Sequence, residues 1–312
     1  MTTAAFFVFA HPFLESAFAA GTAIALASGL VGSVVVLRGQ VFAGDALSHV
    51  AFTGALAALA FGVDLRLGLY GGCVAFALLL AVLGRRTVAD DTVIGSVFAW
   101  VLGLGALFLS VYTTSSSGTG GSGTSGISVL FGSILGLTGG QALADAAVSL
   151  VVVAGMVAVA RPLLFASIDP SVAAARGVPV RTLSTVSFVL LGLTAGVATQ
   201  AVGALLLIGL LAAPAGAAQR LTARPFRALW VSAALAVGSM WAGLTIAYLA
   251  PVVPPSFGIL GVATGVYLGT FVRRPSGRRA SLRRSSRGRG AGAVHPPAVG
   301  GGGGPAGVAR VP

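Results

Sequence analysis

Long apolar runs divided by short polar breaks organise the chain. They fall at about 16–37, 41–63, 67–84, 92–112, 141–160, 182–199, 201–218, 228–250 and 257–272. Each is close to the ~20 residues a helix needs to cross about 30 Å of hydrocarbon. The pattern predicts an all-α polytopic membrane helix bundle of eight or nine spans, with the division near 200 setting the count. A short interfacial lead, Phe6 to Phe13, is broken by His11-Pro12. The Gly/Ser/Thr-rich stretch 113–126 reads as a flexible loop. Residues 127–138 contain LFGSILG, too short and glycine-rich for a full span; they read as a half-embedded helix, tolerated only where protein surrounds it. From Arg273 the chain is rich in Arg, Gly, Ser and Pro and carries a run from Gly300 to Gly304, so the expectation is a membrane domain, 1–272, and a disordered tail, 273–312.

Composition agrees with the pattern. With 56% hydrophobic residues, 8% charged and a mean hydropathy of +0.98, no soluble globular domain fits. The net charge of +12 suggests nucleic acid until it is mapped: 9 of the 19 basic residues follow Val272. An arginine-rich run directly after a membrane span is attracted to anionic lipid, so a lipid surface is expected and nucleic acid is not. All basic residues are arginines; without lysine there is no G-x-x-x-x-G-K-[ST] phosphate loop, so if the protein uses ATP the hydrolysis belongs to a partner. Cys73, alone, excludes an intrachain disulfide. The first 37 residues hold no basic residue, against a charged secretory leader.

Arginine placement tests the span count. Numbering loops alternately, one side receives Arg38, Arg85, Arg86, Arg161, Arg176, Arg181, Arg220, Arg224, Arg227 and the tail; the other receives Arg66. Since cytoplasmic loops collect arginine, the N-terminus is expected outside and the C-terminus in the cytoplasm.

Against this apolar background, Asp45 and His49 stand at i and i+4 of a predicted membrane helix, on one face. Ionisable groups at membrane depth cost roughly 2.5–3.5 kcal/mol on insertion scales, which marks such a pair as functional. Carboxylate plus imidazole suits divalent first-row cations such as Mn²⁺, Fe²⁺ or Zn²⁺. Two ligands are too few, and two chains about a two-fold axis would supply four. The competing readings are an N-cap role for Asp45 and a structural histidine. Thr53, one turn further, reads as a threonine bonding back to its own helix. The cytoplasmic stretch from Ser167 to Pro179 carries an Asp169 cap, Pro170 at the first helical position, an alanine-rich body and a glycine stop: a short presented helix, or an ordinary connector. Asp90-Asp91 reads as a helix N-terminus complemented by carboxylates, and Pro214 as a kink site. Gln200, Met240 and Glu15 read as structural or interfacial.

Six blocks in order, GDALSHVAFTGALAA (44–58), DDTVIGSVFA (90–99), LFGSILGLT (130–138), DPSVAAARGVPV (169–180), VGALLLIGLLAAPAGAAQR (202–220) and PPSFGILGVATG (254–265), resemble the permease subunits of bacterial metal-ion ABC importers of the zinc/manganese/iron type. The resemblance runs from about 14 to 272. It departs after the histidine, where Val50-Ala51-Phe52-Thr53-Gly54 lacks the expected proline.

The resemblance implies a type II ABC importer-like permease in the bacterial inner membrane. It implies a second copy of itself as homodimer partner, an extracytoplasmic metal-binding substrate protein and a cytoplasmic ATP-binding subunit. Asp45 and His49 are then metal-coordinating residues of the path. Asp169, Pro170, Ser171, Val172, Ala173, Ala174, Ala175, Arg176, Gly177 and Val178 form the helix that docks on the ATPase. The chain itself is not an enzyme and holds no permanent cofactor, the divalent cation being cargo. Two alternatives stay open on the residues: a proton-coupled secondary metal transporter using Asp45 and His49 as a relay, and a permease for metal chelates or corrinoids.

Overall fold

The computed structural model describes residues 12–83, 91–115, 132, 134–204, 206–250 and 252–272. Among them are ten α-helices and one 3-10 turn, Ile134–Gly136. The helices are α1 (Pro12–Leu37), α2 (Val41–Ala60), α3 (Leu65–Leu83), α4 (Asp91–Ser115), α5 (Gly139–Ile168), α6 (Pro170–Ala175), α7 (Val180–Val202), α8 (Leu207–Leu221), α9 (Pro225–Leu249) and α10 (Pro255–Val272). Each of the nine apolar runs corresponds to a helix. Seven are long and apolar enough to cross a membrane, while α8 and α10 are shorter. This is an all-α polytopic bundle.

Because lipid tails are as apolar as leucine, helices in a bilayer associate through close packing and interhelical hydrogen bonds rather than hydrophobic burial. Small residues mark the crossings. A Cβ on Gly68 of α3 would collide with the Gly54 carbonyl oxygen and the Ala58 Cβ of α2, so these helices touch backbone to backbone. Gly29 of α1 lies against Ser232 and Ala233 of α9, and the Ser232 hydroxyl donates to the Gly29 carbonyl at 2.7 Å. α1 and α7 are the most enclosed helices, α4 the least.

Several boundaries differ from those predicted. α5 does not stop near 160 but continues through Pro162 to Ile168. A proline removes one backbone donor, and the good helix formers on both sides carry the helix across that gap. Near 200 the two spans are separate: α7 ends at Gly203, whose φ of +97° a residue with a Cβ rarely adopts, and α8 begins at Leu207. A Cβ on Gly132 would meet the backbone of Ala201, Val202 and Gly203, so Gly132 packs on this break. Non-helical backbone here is enclosed by protein, as membrane depth requires. Of 127–138 the structure describes 132 and 134–138, among which Ile134–Gly136 is the 3-10 turn; the rest of the stretch expected to be half-embedded lies outside the described residues. The interfacial lead before Pro12, Arg85 and Arg86, Asp90, most of the polar loop and the tail lie outside the described residues.

Candidate metal site

α1 and α2 are joined by a tight turn, with the Gln40 N–H returning to the Val35 carbonyl at 2.9 Å. Gln40 is the N-cap of α2, so Asp45 is not a cap; it sits in the helix interior. At 1.5 Å per residue Asp45 is about 6 Å and His49 about 12 Å beyond Val41. α2 is unbroken from there to Ala60, so the missing proline has left a continuous helix.

Its neighbours hold α2 at fixed rotation. On one side lies the Gly54–Gly68 crossing, with the buried Cys73 thiol donating to the Leu47 carbonyl at 3.7 Å. On the other lies α4: the His49 ring is 5.3 Å from that of Phe98, which also meets Phe42 at 6.1 Å. The Thr53 hydroxyl donates across the interface to the Val101 carbonyl at 3.3 Å instead of back into its own helix, because α4 comes within reach at the bare Gly105. Ala46, Leu47, Val50 and Ala51 are buried, while Asp45 and His49 are half-buried, His49 beside Phe98 of α4.

Among the described residues neither the Asp45 carboxylate nor the His49 imidazole has a hydrogen-bond or ion-pair partner. Nor do the described residues include three His, Cys, Asp or Glu that could together hold a metal ion. Two unpartnered donors on one helix face leave most of a cation's coordination to water, to cargo-bearing partners or to another chain.

A second polar cluster lies at the opposite ends of the helices and includes a residue absent from the sequence reading. Asp145 of α5 is fully buried; it accepts from the Tyr70 hydroxyl at 2.8 Å and forms an ion pair with Arg66 at 3.7 Å. Gln200 joins them, donating to the Tyr70 oxygen at 3.4 Å and accepting from Arg66 at 3.3 Å. Arg66 is thus not a loop residue alone: it ties the starts of α3 and α5 to the end of α7. The signal for Asp145 was the same as for Asp45, a lone carboxylate in an apolar run. Met240 is buried and Glu15 exposed.

α6 has the local structure its sequence specifies. Asp169 caps it, accepting from the Ser171 hydroxyl at 2.6 Å and from the Ser171 and Val172 N–H groups at 3.1 and 3.0 Å. The Ser171 hydroxyl chiefly, then the Val172 N–H, hold this carboxylate below its ordinary pKa. Gly177, at φ +79°, ends the segment. Ala173 is buried against the bundle; Ser171, Val172, Ala174, Ala175 and Arg176 are exposed. Just before α6, Ser167 accepts from the Arg38 side chain at 2.8 Å. Arg38 lies three residues before α2. The presented helix and the helix carrying Asp45 and His49 are therefore linked through one side-chain bond.

A helical bundle with an unpartnered Asp/His pair and a short presented helix can be compared with known proteins. The family model described as ABC 3 transport family matches residues 10–274. The chain belongs to this family. Among relatives of this ABC 3 family member is the manganese import system permease protein ScaB of Streptococcus parasanguinis, 30% identical over 76% of this chain and 82% of the relative. A Haemophilus influenzae protein named "Probable iron transport system membrane protein" is 26% identical over 76% of this chain and 84% of its own length. Among solved structures, PsaBC from Streptococcus pneumoniae in complex with Fab aligns at a TM-score of 0.74 and 26% identity, covering 88% of this chain and 96% of that one. The ABC 3 chain is thus a multi-pass permease-type transport component.

Proposed function

We propose that the protein is the permease subunit of an ATP-driven importer of a divalent transition-metal ion in a bacterial cell membrane. Asp45 and His49 are its cation ligands. The names of the relatives point to manganese or iron as cargo; an Asp/His donor set also accepts zinc. The observation that carries the proposal is the Asp45/His49 pair, half-buried and unpartnered on a face of an otherwise apolar helix. Two copies related by a two-fold axis supply the remaining ligands. The N-terminus is outside and the C-terminus, with its arginine-rich tail (273–312), cytoplasmic.

An extracytoplasmic metal-binding protein delivers the ion and a cytoplasmic ATPase docks on Asp169 to Val178. Rearrangement there reaches α2 through Ser167 and Arg38. Metal ligation needs a deprotonated imidazole, so uptake falls at acid pH. The test is uptake of ⁵⁴Mn and ⁵⁵Fe by cells carrying Asp45→Ala or His49→Ala at equal membrane abundance. Loss in both variants is expected. Wild-type uptake in both, with no response to acid pH, would refute the assignment. Uptake by the purified chain in liposomes under a pH gradient, with no ATPase, would instead favour proton coupling.

A further inference from the structure

α5 and α9 barely touch along their length, and between them opens a cavity of about 300 Å³. Ala160 and Leu229 form its floor, fully buried; Val157, Phe226 and Trp230 form half-exposed walls, and Arg161 stands at its edge. The position of Arg161 follows from the length of α5. It lies about 33 Å beyond Gly139 at 1.5 Å per residue, the thickness of the hydrocarbon core, so its guanidinium sits at headgroup level. Trp230, early in α9, is at the interfacial depth where tryptophan collects. Arg227 is one turn nearer the start of α9, on the same face as Trp230. Among the described residues Arg161 has no carboxylate partner.

We infer that this groove is a binding site for an anionic phospholipid of the leaflet bordering the arginine-rich loops. An acyl chain lies over Ala160 and Leu229 between Phe226 and Trp230, and the phosphate is held by Arg161 with support from Arg227. An apolar, lipid-facing trough with an unneutralised cation at its headgroup end complements an anionic lipid; a zwitterionic lipid fills the trough but leaves the charge uncompensated.

The chain has three tryptophans, Trp100, Trp230 and Trp241. Replacing Trp100 and Trp241 with Phe leaves Trp230 as reporter. The full chain, assembled with its partner subunits in nanodiscs, is titrated with brominated phosphatidylglycerol or brominated phosphatidylcholine, a Trp230→Phe sample supplying the background. The expected result is about a fivefold preference for quenching by the anionic lipid, the weight of one arginine at a charged lipid surface. Arg161→Gln should abolish the preference while retaining quenching by the neutral lipid, and Arg161→Lys should keep it. Equal quenching by both lipids in the parent would overturn the site. So would absence of quenching by either, which means that protein covers the groove, or an undiminished preference in Arg161→Gln.

Discussion

Removing one member of the Arg66–Asp145 pair should damage the protein very differently from removing the other. Asp145 is fully buried, and its second carboxylate oxygen, Oδ2, has no hydrogen bond; only the Arg66 charge at 3.7 Å compensates it. Arg66 is 21% exposed and also bonded to Gln200, so without Asp145 it can turn to water. Arg66→Met strands a buried carboxylate, a loss of about 3–5 kcal/mol. Asp145→Asn keeps an acceptor for Tyr70 and gives up one charge-assisted contact, about 1–2 kcal/mol. The double variant Arg66→Met/Asp145→Asn should recover to within about 1 kcal/mol of Asp145→Asn alone, a coupling of about 2–5 kcal/mol expected only of contacting groups. Equilibrium unfolding in mixed dodecyl maltoside and SDS micelles, followed by circular dichroism, gives the three values. If Asp145→Asn proved the worse single change, or the two changes added independently, Asp145 would not be a buried charge dependent on Arg66.

The close approach of α2 and α3 predicts that Gly68→Ala forces them apart, destabilising by about 1–3 kcal/mol as overpacked cores do, whereas Gly71→Ala, which meets nothing, is neutral; the same unfolding assay separates them. At α6 the depressed Asp169 pKa fixes the sign of a pH effect. The cap's contribution is complete above the carboxylate's unfolded value and is lost as pH falls through the lower folded one. Hydrogen exchange at the Ser171 and Val172 amides should therefore stay slow into the ordinary carboxylate range and quicken only below it. In Asp169→Ala it should be fast at neutral pH already.

What could be read before the fold was known follows from the physics of each feature. Apolar runs are set by bilayer thickness, so nine of them are visible one by one, and α6 is visible because Asp169, Pro170 and Gly177 act on their own neighbours. Asp45 and His49 announce themselves as ionisable groups four residues apart. The Asp145 cluster joins residues from three helices, Arg66, Tyr70 and Gln200 among them, and no local pattern encodes that convergence. The extension of α5 past Arg161 was hidden by Pro162, a residue that ends helices more often than it is carried through one. Thr53's bond to α4 depended on Gly105, some fifty positions away, leaving room for it.

α5 also has a mechanical consequence. Its thirty residues make a rod of about 45 Å, with the Asp145 cluster near one end and Ser167, beside Arg38 and α6, at the other. A rod longer than the hydrocarbon core is thick, clamped to different neighbours at its two ends, is a seesaw. Tilting it by about 10° around its middle would carry each tip some 4 Å, in opposite directions, so that a push at one membrane surface arrives at the other as a pull.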